Sequence, residues 1–414
     1  MYVEGLVLSD LKNIERISEN LNASYHQMQH FITESEWDSR AVIDKVALDV
    51  RKSLTKSKLT GLLIDESGWV KKGEKSVGVG HQYCGNVGKL ANSQVAVFGC
   101  LSNDRYASLV DAKLYLPKEW CDNKQRCNDS GIPELESNFK TKIELAIEII
   151  MHQKELGIDF DYVGADGLYG NDANFASEID RLGYLYMLDI HSNQNIYLEE
   201  PELFLPQRTS RKGPQPKRMK ATVGAIRVDN YLKELKPSDW KFISIRNSAK
   251  GVLKGYFHFK KVYIWNRDIN VVEPRLLVIR KSKTKNQNEE IKFSFTNANL
   301  AQYTEECIAQ MQSQRFFIEH NFKEAKQILG LDHYQTRKWK SWYHQVALNL
   351  MVGVFLLKEK ILQKDEIPIL SARDIMDFLV FKFYREMTEE KLLQQLQTRH
   401  RKRLSDINYY YSRS

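Results

Sequence analysis

The 414-residue chain is 42% hydrophobic and 11% aromatic. That is enough for about two or three domains with a sizeable core, and it excludes global disorder. Lys and Arg outnumber Asp and Glu by 61 to 53, a formal charge of +8, which speaks for a polyanionic partner only where the positive charges cluster. The five cysteines are an odd number and form no Cys-x-x-Cys pair, which argues against a disulfide framework or structural zinc site and fits a reducing cytoplasm.

The N-terminus has no basic segment followed by an apolar stretch, so no signal peptide is expected. Residues 1 to about 58 read as helical: Leu6, Leu8, Leu11, Ile14 and Ile17 recur at near three-residue steps, and Val42, Val46 and Val50 at four-residue steps. From Gly61 the pattern changes to strands. Leu62-Leu63-Ile64 predicts a short buried strand ending in Asp65. Ser76 to Tyr83 and Ser93 to Leu101 predict two more, joined by the Gly/Asn turn from Cys84 to Gly88. Ala107 to Leu116 reads as another strand, stopped by Pro117. Thr141 to Leu156 is a helix, with Ile143, Ala146, Ile147 and Ile150 on one face and Gly157 at its end. A strand from Phe160 to Ala165 ends at Asp166. A helix over Asp172 to Leu182 then leads to a strand from Tyr184 to Ile190. This alternation predicts a three-layer α/β domain.

Pro201 to Lys220 is rich in proline and basic residues. β-like runs follow at Lys241 to Ile245, Gly255 to Trp265, Arg275 to Arg280 and Ile291 to Phe295, read as a β-rich insertion. Helices resume near Thr304 and reach about Lys360. Val346 to Leu357 is the longest apolar run; it is too short for a bilayer and reads as a buried helix. Ala372 to Gln397 is expected to be helical, with the basic run Arg399 to Arg403 after it. The expected organisation is a helical, DNA-binding region over 1–58, a catalytic core over 59–190 and 300–360, the β-rich insertion over 191–299 and a helical tail over 361–414.

Asp65 and Asp166 share a context: each follows a short apolar strand and precedes turn residues. Strand carboxyl ends gather at one edge of a parallel sheet, where ligands bind. Two acids there repel each other unless a cation intervenes, and magnesium suits such a site. Taken singly, either aspartate reads better as a helix or turn cap. Arg315, Glu319, Phe322 and Lys326 lie four, three and four apart, on one helical stripe; alone, that stripe reads more readily as a solvated face with an ion pair.

Together these residues resemble a known family. Arg-x3-Glu-x6-Lys at Arg315, Glu319 and Lys326 is similar to the Tyr-x2-Arg-x3-Glu-x6-Lys signature of bacterial insertion-sequence DDE transposases. Asp65-Glu66-Ser67-Gly68 with Lys71-Lys72-Gly73 resembles that group's first acidic motif, and Gly164-Ala165-Asp166-Gly167-Leu168-Tyr169-Gly170 its second. Leu329-Gly330-Leu331-Asp332-His333-Tyr334 adds to the match. The likeness covers about residues 20 to 357. The signature tyrosine falls at Gln312, whose amide can still donate to a phosphate, and the N-terminus is short for the group, as in a trimmed reading frame.

The resemblance implies a ribonuclease H-like α/β core with an N-terminal helical region and a β-rich insertion between the second Asp and the Glu. It implies catalytic, metal-holding roles for Asp65, Asp166 and Glu319, with two Mg²⁺ ions (Mn²⁺ substituting) ~3.5–4 Å apart and Asp65 bridging both. It further implies a cytoplasmic, nucleoid-associated prokaryotic enzyme without a membrane segment. Such an enzyme cuts and joins double-stranded DNA at terminal inverted repeats and target sites, as a homodimer or synaptic complex. Arg315 and Lys326, the nearby Lys71 and Lys72, and Arg211, Lys212, Lys217 and Arg218 in the basic loop are the expected DNA-phosphate contacts. Two alternatives stay open: a catalytically impaired, transposase-derived DNA-binding protein, and a metal-independent two-carboxylate hydrolase such as a glycosidase.

Overall fold

A computed structural model describes residues 1–54, 59–207, 216–248, 251–283, 289–367 and 370–383, with scattered positions beyond. Four helices open the chain: α1 (Tyr2–Leu8), α2 (Ile14–Asn20), α3 (Tyr25–Thr33) and α4 (Ser39–Ser53). Asn13, Ser24 and Asp38 each accept backbone N–H bonds as caps, so the apolar run through Ile17 is broken into two helices rather than continuous. Leu11 falls in the break and is exposed. On α4 the buried column is Ile43, Val46, Ala47 and Val50, with Val42 only partly buried.

The next elements are β1 (Gly61–Val70), β2 (Gly80–Cys84), β3 (Lys89–Ser102), β4 (Ala107–Leu114), α5 (Lys118–Cys121), α6 (Lys124–Asp129), α7 (Lys142–Glu155), β5 (Tyr162–Ala165), α8 (Gly167–Gly170), α9 (Ala173–Arg181) and β6 (Leu185–Asp189). Two expectations are corrected here. β1 does not stop at Asp65: β3 pairs with it antiparallel from Gly61 to Val70, and that continuous ladder holds the strand extended beyond the acid. The stretch expected as a strand from Ser76 is strand only from Gly80, because Val79 closes a turn onto the Ser76 carbonyl. The helix expected at Thr141 has a full capping box, Thr141 and Glu144 each bonding the other's backbone N–H. It ends at Gly157, whose φ of +74° only glycine adopts freely.

Two short ribbons follow, β7 (Asn195–Ile196) with β10 (Ile226–Arg227) and β8 (Leu203–Phe204) with β9 (Lys220–Ala221). After α10 (Val228–Glu234) come the long strands β11 (Lys241–Ser248), β12 (Gly251–Asn266), β13 (Val271–Lys283) and β14 (Glu289–Thr296). The expected β runs are present, and they extend the core sheet. β14 pairs antiparallel with β6 through Ser294 to Thr296, giving one ten-stranded sheet in the order β11-β12-β13-β14-β6-β5-β1-β3-β2, with β4 also on β3. Among the described strands the parallel pairs are β1 with β5 and β5 with β6. The free edge of β6 explains the join, since its unpaired backbone groups need partners once buried.

Helices α11 (Glu305–Gln314), α12 (Phe316–Gln327), α13 (Trp339–Leu362) and α14 (Ala372–Phe383) complete the described elements. α13 contains the long apolar run and is buried along most of its length. It anchors the N-terminal helices: Trp37 stacks on its His344, whose ring nitrogens meet the carbonyls of Ile32 and Trp37. A second apolar cluster joins α1, α2, α3, α13 and α14. The expected helix toward Gln397 is described as far as Phe383, and much of its continuation and of the basic run lies outside the described residues. Among the described residues no helix is long and apolar enough to cross a membrane, and all five cysteines are free thiols.

Candidate active site

Sheet register brings the two aspartates together. The parallel pairing of β1 with β5 ends at Ile64↔Ala165, so Asp65 and Asp166 are the next residues of adjacent strands. Asp166 also caps α8, its Oδ1 accepting from the Leu168 N–H at 2.9 Å; the capping reading and the site reading hold together. The neighbouring Glu66 joins them. Asp65, Glu66 and Asp166 each present an oxygen within 4.8 Å of the others. Glu66 is steadied by the Lys142 Nζ at 3.0 Å and the Tyr169 hydroxyl at 3.2 Å.

Burial raises the pKa of Asp65 well above its ordinary value, with the Asp166 charge adding to it and Arg315 opposing. Burial and then the Glu66 charge raise that of Asp166. Both shifts come first from burial and then from repulsion between neighbouring carboxylates, with Arg315 only partly opposing them.

Glu319 enters from α12 and lines the same open cleft, about 710 Å³, together with Asp65, Glu66, Asp166, Lys323 and Lys326. Its carboxylate is 49% exposed and meets the Arg315 Nη2 at 2.5 Å. Arg315 is buried among acids: its Nε lies 2.7 Å from Asp189 Oδ2 and its Nη1 3.8 Å from Asp65 Oδ2. Burial works against its charge, but Asp189, then Glu319, Asp65 and Asp166, outweigh burial and raise its pKa. Its guanidinium is therefore directed at carboxylates rather than at solvent.

The other expected phosphate contacts are differently placed. Lys326 lines the cleft and donates to the Gly68 carbonyl at 2.8 Å. Lys71 faces inward, donating to the Tyr334 carbonyl at 2.8 Å with its ammonium 4.2 Å from that ring; burial lowers its pKa to about 8. Lys72, Lys217 and Arg218 are exposed and outside the cleft lining, while Arg211 and Lys212 lie outside the described residues. Gln312, at the signature tyrosine position, is buried and donates to the Ser294 hydroxyl at 2.9 Å. Its amide serves the sheet interface rather than a phosphate, which corrects that expectation.

Two acids in this arrangement have no role in the sequence reading. Glu66 follows Asp65 directly, and strand alternation argues that neighbours face opposite ways. Asp189 did carry a usable signal: it ends a third apolar run of the same alternating unit, just as Asp65 and Asp166 follow the apolar runs Leu62–Ile64 and Tyr162–Ala165.

The fold and cleft define a mixed α/β protein with a carboxylate cluster just past the end of the parallel pairing of β1 with β5. Residues 1–251 match the family model described as DDE superfamily endonuclease, and the chain belongs to that family. A relative from Microchaete diplosiphon, "Probable transposase for insertion sequence element IS701", is 31% identical over 201 residues, covering 47% of this chain and 49% of the relative. The chain thus matches about half the length of that relative. Among solved structures, a piggyBac transposase synaptic complex with hairpin DNA aligns over 81% of this chain and 54% of its own, at 11% identity and a TM-score of 0.33. The NurA nuclease from Sulfolobus solfataricus aligns over 77% and 97%, at 10% identity and a TM-score of 0.26.

Proposed function

We propose that the chain is an insertion-sequence DNA transposase with a ribonuclease H-like core. In this reading it cleaves and joins double-stranded DNA at terminal inverted repeats and target sites by two-metal phosphoryl transfer, with Asp65, Asp166 and Glu319 as the catalytic, metal-holding acids. The observation that carries the proposal is the meeting of those three acids in one open cleft, two of them from adjacent parallel strands and the third from α12.

The donor set fits hard divalent cations. All ligand atoms are carboxylate oxygens, and the raised pKa values of Asp65 and Asp166 mark charge that a cation would neutralise. Asp65 and Asp166 would hold the ions with Glu319, and Glu66 is near enough to contribute. Bound there, Mg²⁺ or Mn²⁺ supplies Lewis-acid stabilisation of the attacking and leaving oxygens. The chain's own part is positional. Arg315 steadies Glu319, and Lys323 and Lys326 on the α12 wall give the cleft a positive lining suited to a DNA phosphate. Exposed Lys72, Lys217 and Arg218 are suited to backbone phosphates further out. The N-terminal helices are assigned a DNA-binding role, the working form is a homodimer or synaptic complex, and the setting is the prokaryotic cytoplasm at the nucleoid.

The test is metal-dependent cleavage of DNA carrying the ends of the protein's own element. Wild type is expected to cut with Mg²⁺ or Mn²⁺ and to stop with chelator, and Asp166→Asn is expected to abolish cutting. Undiminished cleavage by that variant would sink the assignment.

A further inference from the structure

Asp189 sits at the end of β6, beside the strand that delivers Asp166. Its two oxygens serve different partners. Oδ2 lies 2.7 Å from the Arg315 Nε, and Oδ1 accepts from the Ser294 hydroxyl at 2.6 Å. Ser294 in turn accepts from the Gln312 amide at 2.9 Å. Ser294 is fully buried and Gln312 is 3% exposed, so the chain Gln312–Ser294–Asp189 is built into the interface of α11 with the sheet. The guanidinium is thus divided. Its Nε edge meets Asp189, and its terminal nitrogens meet Glu319 at 2.5 Å and approach Asp65 at 3.8 Å.

We propose that Asp189 is a positioning residue that anchors Arg315 by its Nε edge, so that the guanidinium does not move fully onto Asp65 and Glu319 and displace a divalent cation there. This rests on the reading of Asp65, Asp166 and Glu319 as metal-holding acids. A buried guanidinium keeps its charge and needs an anion. With Asp189 neutralised, the remaining acids acting on it are Glu319, Asp65 and Asp166, the groups a cation needs. Arg315 then becomes a built-in competitor for the site.

Direct titration of Mn²⁺ onto the full chain, followed by electron paramagnetic resonance, tests this in a double-mutant cycle. Asp189→Asn is expected to weaken Mn²⁺ binding about tenfold, on the order of one close ion-pair contact. In an Arg315→Gln background the same substitution is expected to change affinity less than about twofold, because the competitor is gone. An equal loss in both backgrounds would mean that Asp189 acts only as a distant negative charge, and would overturn the proposal. Unchanged binding in Asp189→Asn would overturn it as well. If Asp189→Asn does not fold, Ser294→Ala removes the hydroxyl that links Asp189 to the Gln312 amide and is expected to weaken Mn²⁺ two- to threefold with Arg315 present; no change there overturns the proposal. The metal-site reading is checked separately by Asp166→Asn, expected to lose Mn²⁺ binding. Wild-type protein that binds no Mn²⁺ would overturn both that reading and this one.

Discussion

Asp166→Asn should make the metal-free protein more stable while removing its response to metal. Asp65, Glu66 and Asp166 lie within 4.8 Å of one another. At an effective dielectric of about 20, two charges at that distance repel by about 3.5 kcal/mol. Part of this is offset because Arg315 attracts Asp166. Asparagine keeps an oxygen for the Leu168 N–H, so the α8 cap survives. A net gain of about 1–2 kcal/mol is expected, or about 1–4 °C in Tm for a chain this long. The pH dependence has a definite sign. Asp166 has a raised folded pKa, so its charge costs nothing at pH values below the ordinary 3.8 and costs most once pH has risen through the folded value. The gain should therefore vanish near pH 4 and grow toward neutrality. Thermal unfolding between pH 4 and 8, with EDTA or with Mg²⁺, reads both effects: Mg²⁺ should raise the wild-type Tm and leave the variant's unchanged. A lower Tm for Asp166→Asn in EDTA at pH 7, or a gain that does not vary with pH, refutes the reasoning.

Gly170→Ala should be severely destabilising, since a Cβ there would stand 1.9 Å from the Asp189 carbonyl oxygen; a loss of about 3 kcal/mol in a urea titration is expected. Thr141→Ala removes one half of the α7 capping box and should cost about 1 kcal/mol by the same measurement. Lys71 has its pKa lowered to about 8 by burial, so its charge burdens the fold below that pH and not above about 10.5. Any stability advantage of Lys71→Met over wild type should accordingly shrink between those two values, by at most about 3 kcal/mol; a difference flat across that window counts against the burial argument.

Local chemistry alone carried much of this protein. The Thr141 capping box and Gly157 bounded α7, the β runs after residue 240 emerged as strands, and Asp166 was legible as a strand-end acid followed by glycine, whereas Asp65 turned out to lie within a longer β1. What sequence could not decide depends on contacts across long separations. β14 meets β6 about 105 positions away (Ser294↔Asp189), and no periodicity within either strand encodes that pairing. Arg315 reads as an outward stripe residue on its own helix, yet the acid opposite its Nε comes from β6, and that decides which way a buried guanidinium turns. Glu66 faces the cluster although alternation assigns it the other face, because Lys142 on α7 and Tyr169 on α8 hold its carboxylate there. Sequence determined which segments become strands and helices and where the acids fall on them. Tertiary packing decided which acids share one space, because that depends on register and on partners that a segment does not contain.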